Sequence, residues 1–81
     1  MAVAPISQTT GMFGERVRKR RNELGMSQEQ AALKCGIHWT FLGQVERGQR
    51  NVSLHNITKI AAGLQIDPAV LVSELPPPEG P

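Results

Sequence analysis

The sequence predicts an all-α chain folded as a compact bundle of five short helices. Three observations lead there. Apolar residues recur at intervals of three and four rather than in alternation. Residues suited to helix starts, Ser27, Ser53 and the pair Asp67-Pro68, stand just ahead of such runs. The only aromatic side chains are Phe13, Trp39 and Phe41, so the core has to be aliphatic, and no β-branched or aromatic alternation marks a strand.

Residues 1–11 have no positive charge and read as a flexible arm, with residues 12–75 forming the domain and 76–81 a disordered Pro-rich tail. The first helix is expected from about Met12 to Leu24, with Phe13, Val17, Arg21 and Leu24 on one face and Gly25 closing it. Arg16, Arg18, Lys19 and Arg20 lie off that face. They suit either phosphate contacts or a solvated helix side with a Glu15-Lys19 pair at a favourable spacing.

Met26 to Gly48 reads as two short helices meeting at a sharp corner. Ser27 caps the first, which turns Ala31, Ala32 and Cys35 inward. Gly36 follows, where glycine leaves a helix through the left-handed region without steric cost. Ile37 plugs the corner, and a helix starting after Ile37 or His38 turns Leu42 and Val45 inward and Trp39, Thr40, Gly43 and Gln44 outward. The small Ala32 allows the second helix to cross steeply. Phe41 is expected to cover the junction with the next helix.

Arg21 sits on the inward side and needs a partner, because an unpaired buried charge costs several kilocalories per mole. Glu46 is the natural candidate. After a polar loop containing Arg47, Gly48, Arg50 and Asn51, Ser53 caps a fourth helix expected to bury Leu54, Ile57, Ile60, Ala61 and Leu64. Gly63 in its last turn marks either a close approach or a tolerated weakness. Asp67 and Pro68 begin a fifth helix reaching about Glu74.

The set Arg21, Gly25, Ser27-Gln28, Ala32, Gly36, Leu42, Val45, Glu46 and Gly48, with the apolar helix beyond it, resembles the Cro and phage lambda repressor family of helix-turn-helix proteins, called XRE-type. The match runs from about Phe13 to Leu71. It implies a lambda-repressor-like fold whose third helix enters the major groove of DNA. It also implies that Trp39, Thr40 and Gln44 touch bases, that Gln28 fastens the second helix to a phosphate, and that Arg21 pairs with Glu46. Gly43 lies on the same reading face as a gap. Gln44 suits a bidentate contact with adenine. Further phosphate contacts are expected from His38, Arg47, Arg50, Asn51 and Ser53.

One small domain buries too little surface for tight specific binding, which points to a homodimer on a palindromic operator. Val70, Val72 and Leu75 are the expected dimer surface, and family members often dimerise there. Within the family, Arg50 to Ile57 resembles small stand-alone regulators, including controller proteins of restriction-modification systems and antitoxins.

A net charge of +2 says little alone. One cysteine and two histidines provide neither a disulfide nor a zinc site, and no phosphate-binding loop or nucleophile pair suggests an enzyme. No metal or other cofactor is expected. No signal peptide or membrane span is read, so the expected location is the cytoplasm. The reading is a DNA-binding transcriptional regulator. The alternative is a protein-interaction or antitoxin module, with a small protein partner held by Trp39 and the notch at Gly43 or by the tail.

Overall fold

The computed structural model describes residues 3–79, so residues 1–2 of the expected arm and 80–81 of the expected tail lie outside the described part. Five helices follow one another: α1 Gln8–Glu23, α2 Gln28–Cys35, α3 Trp39–Glu46, α4 Leu54–Gly63 and α5 Pro68–Val72. No strand occurs among the described residues, and the chain is all-α.

The first helix begins four residues before the expected Met12. Ser7 supplies the reason: its Oγ accepts from the Thr10 amide at 3.2 Å, while Thr10 Oγ1 accepts from the Ser7 amide at 3.0 Å, a reciprocal cap. The helix therefore takes in the end of the expected arm, and residues 3–6 are tied down. Ile6 donates its amide to Gly48 O at 2.8 Å, and Gln49 donates from Nε2 to Val3 O at 3.2 Å.

At the other end α5 stops at Val72 instead of reaching Glu74. Ser73 is extended, Glu74 takes a φ of 54°, and the chain reverses so that Leu75 packs against the core. Pro76 reinforces the stop, since the residue before a proline is pushed out of the helical region. The tail is also anchored where it begins, because Thr9 Oγ1 donates to the Pro76 carbonyl.

The core is Phe13 and Val17 from α1, Ala31, Ala32 and Cys35 from α2, Leu42 and Val45 from α3, Ile60 and Ala61 from α4, and Leu64 and Leu71 beyond. Leu54 does not join them and is 76% exposed. Six residues before Ile60 is roughly a third of a turn away from the buried line of the helix. Ile57, three residues before Ile60, is partly buried against the core.

Two glycines set the helix spacing. A Cβ on Gly63 would lie 2.5 Å from Cys35 Sγ and 2.6 Å from Cys35 Cα, so of its two readings close packing of α4 on α2 is the one found. A Cβ on Gly14 would lie 2.2 Å from Val45 O, which brings α1 directly onto the last turn of α3. The first contact orients the corner, and the second holds the end of the helix that the corner presents.

Candidate nucleic-acid interface

The corner is built from local chemistry. Ser27 Oγ accepts from the Gln30 amide at 3.1 Å, and Gln30 Oε1 accepts from the Ser27 amide at 2.9 Å, closing the start of α2. Gly36 ends α2 at a φ of 69°, and Ile37 tucks partly into the core. His38 is the last residue before α3. Its Nδ1 accepts from the Thr40 amide at 3.1 Å and its ring stacks on Trp39 at 5.9 Å.

From that start α3 divides into two faces. Leu42 and Val45 are fully buried behind it, whereas Trp39 is 51% exposed, Thr40 is exposed and Gln44 is half-buried on the other side. Gly43 departs from the expectation of an outward gap. It is buried, because Arg47 Nη1 would stand 3.2 Å and Gln28 Oε1 3.4 Å from a Cβ placed there. The space left by the missing side chain is thus covered by two polar neighbours, and the notch invoked for a protein partner is filled.

Glu46 anchors the far end. Its carboxylate accepts from Arg21 Nε at 2.7 Å and Arg21 Nη2 at 2.9 Å, while Arg21 Nη1 donates to Met26 O at 3.0 Å. Only 2% of the Glu46 side chain and 12% of the Arg21 side chain is exposed. The hydrogen bond to Glu46 raises the Arg21 pKa above its already high ordinary value. Gln28 adds a third donor, its Nε2 bonding Glu46 Oε1 at 3.1 Å. The residue expected to fasten a phosphate is therefore engaged inside the protein, because a buried carboxylate needs every donor within reach.

Beyond α3 the loop is polar and cationic. Arg47, Arg50, Asn51 and Ser53 are exposed, with Ser53 Oγ accepting from the Asn56 amide at 3.1 Å as the cap of α4. Arg50 Nε donates to Gln44 Oε1 at 2.8 Å, and its guanidinium carbon lies 5.4 Å from the centre of the Phe41 ring. Phe41 is partly buried against the core, as expected for a side chain covering this junction. Arg47 Nε donates to Gln49 Oε1 at 3.3 Å. Gly48, at a φ of 73°, passes so close to Gly11 and Pro5 that a Cβ would sit 2.8 Å from each.

This strapping of the loop by Pro5, Ile6 and Thr10, the last donating to Gly48 O at 2.9 Å, was not foreseen. The Ser7-Thr10 spacing was the signal for the helix start, but nothing local ties that start to a loop nearly forty residues on.

The basic run on α1 has a different use. Arg16 Nη1 donates to Leu71 O at 3.2 Å and Ser73 O at 2.6 Å. Arg20 donates from Nε to Leu64 O at 2.9 Å and from Nη2 to Gln65 O at 3.1 Å. These guanidiniums satisfy carbonyls left over at the ends of α4 and α5. The ion pairs among the described residues are Arg20-Glu23 and Arg21-Glu46, not Glu15-Lys19.

On the expected dimer surface Val70 is 54% and Val72 39% exposed. Leu75 is folded inward against the core by the chain reversal at Glu74, which removes it from that surface as a free contact. Cys35 is buried, its Sγ donating to Ile60 O at 3.5 Å, and burial pushes its thiol pKa up. Among the described residues no group of three His, Cys, Asp or Glu could hold a metal, and no helix is long and apolar enough to cross a membrane.

A family model described as helix-turn-helix matches residues 17–71. The control protein C.BamHI of Bacillus amyloliquefaciens is 45% identical over 62 residues, 75% of this chain and 76% of that protein. The crystal structure of the restriction-modification controller protein C.AhdI from Aeromonas hydrophila superposes with a TM-score of 0.74 at 48% identity, over 76% of this chain and 94% of that one. SinR, master regulator for biofilm formation, was solved in complex with DNA and matches with a TM-score of 0.73 at 30% identity, over 76% of this chain and 100% of that one. With the helix-turn-helix geometry and these likenesses in agreement, the chain belongs to the lambda-repressor-like, XRE-type helix-turn-helix family of DNA-binding regulators.

Proposed function

We propose that this protein is a sequence-specific transcriptional regulator that binds a palindromic operator as a homodimer, in the manner of a restriction-modification controller. The observation that carries the reading is the division of α3. A rigid inner face of Leu42, Val45 and the bonded Glu46 backs an outer face of Trp39, Thr40 and Gln44 open to a ligand. Base contacts come from those three residues, and Gly43, covered by Arg47, drops out of the reading set. His38, Arg47, Arg50, Asn51 and Ser53 contact phosphates on either side of α3, with the start of α2 at Gln28 contributing its backbone amides. Val70 and Val72 carry the dimer contact, setting two copies of α3 one turn of DNA apart. The likeness to C.BamHI and C.AhdI supports the controller role.

A titration of the full chain against a random duplex library at about 50 and 200 mM salt tests this reading. Selection of one two-fold symmetric class, with affinity falling by about a thousandfold or more between the two salts, is the expected result for six or more phosphate contacts. Equal binding to all duplexes, or affinity indifferent to salt, overturns it.

A further inference from the structure

We infer that Gln44 and Arg50 form a single reading unit that selects guanine, in place of the adenine that a lone glutamine would choose. The inference rests on the regulator reading above and deepens it. An isolated glutamine recognises adenine by accepting from N6 with its amide oxygen while donating to N7 with its amide nitrogen. Here one of the two lone pairs of that oxygen is taken and a positive charge stands beside it: Arg50 Nε donates to Gln44 Oε1 at 2.8 Å. The orientation of the amide is not ambiguous, because a guanidinium only donates and so the atom facing it has to be the oxygen.

Arg50 is itself held, its guanidinium 5.4 Å from the centre of the Phe41 ring, and Phe41 is packed against the core. With Nε committed, neither Nη group of Arg50 nor Nε2 of Gln44 makes a hydrogen bond among the described residues. The edge offered outward is therefore a row of donors with a positive charge beside it. Guanine presents two acceptors, O6 and N7, on its major-groove edge, and a donor pair satisfies both. Adenine replaces O6 with an amino group, which would point a donor at the Arg50 cation.

The experiment uses the full chain and a duplex recovered from the random library. The relevant base pair is the one at which Gln44→Ala abolishes discrimination. Affinities are then measured on duplexes differing only there, carrying guanine, adenine or 7-deazaguanine, for the wild-type chain and for Arg50→Met. Wild type is expected to favour guanine over adenine by about tenfold and to lose about tenfold on 7-deazaguanine. Arg50→Met frees the amide oxygen and is expected to reverse the preference toward adenine. Because each preference is a ratio within one protein, a uniform loss of phosphate contact in Arg50→Met cancels. The inference is overturned if wild type prefers adenine, if Arg50→Met leaves the ratio unchanged, or if Gln44→Ala alters discrimination at no position. Absence of any sequence preference in the wild-type chain would overturn the regulator reading as well, and so is distinct from those results.

Discussion

Two clusters of arginine lie on this small protein and do opposite work. On α1, Arg16, Arg20 and Arg21 point at acceptors of the chain itself: two sets of carbonyls where α4 and α5 end, and the buried carboxylate of Glu46. In the loop after α3, Arg47 and Arg50 bond only side-chain amide oxygens and remain exposed beside the outer face of α3. The α1 run is denser in sequence, yet three of its four arginines are bonded within the fold and only Arg18 is left exposed without such a bond among the described residues, whereas both loop arginines are exposed. Charge density along a chain thus does not locate an anion site. What matters is whether each guanidinium has already found its acceptors within the fold.

The largest test of this contrast is Arg21→Met. Removing one partner from a buried, bidentate pair leaves Glu46 short of donors, and a loss of about 3 to 5 kcal/mol in urea unfolding is expected. A loss below about 1 kcal/mol would mean that the pair does not hold α1 against the end of α3. Next comes Arg20→Met, which frees the carbonyls of Leu64 and Gln65. Those carbonyls can be rehydrated and the arginine side chain is 26% exposed, so about 1 kcal/mol is expected, with no change in the salt dependence of DNA binding. A shallower salt slope in that variant would place Arg20 among the phosphate contacts and break the comparison.

The smallest effect on stability is expected from Arg47→Ala, compared with Arg18→Ala on the exposed side of α1. Both should stay within about 0.5 kcal/mol of wild type in unfolding. Only Arg47→Ala should weaken binding to all duplexes alike and lower the slope of log affinity against log salt by about 1. Equal slopes for the two variants would remove the loop from the DNA-binding surface.

The inner half of the interface was legible residue by residue. Ser27, Gly36, Leu42 and Val45 do what their spacing implied, because caps, left-handed turns and helical periodicity depend on neighbours within about five positions. Arg21 and Glu46 could be paired in advance only through the family resemblance and the need of an inward charge for a partner. The outer half was less legible. Gly43 looked like an opening, since a sequence records a missing side chain but not the Arg47 and Gln28 side chains that cover it. Leu75 looked like surface, since the reversal at Glu74 that folds it inward has no marker besides the following proline.

By itself, then, the sequence determined the number and type of the helices, the caps of α2, α4 and α5, and which side of α3 faces inward. These follow from hydrogen bonds and side-chain spacing within single turns. Only the tertiary structure decided where the long polar side chains went: Arg16 and Arg20 to distant carbonyls, Gln28 to Glu46, Arg50 to Gln44, and the N-terminal residues onto Gly48. The physical reason is reach. A flexible side chain can meet acceptors on several elements, and the packing at Gly14 and Gly63 determines which of them come near.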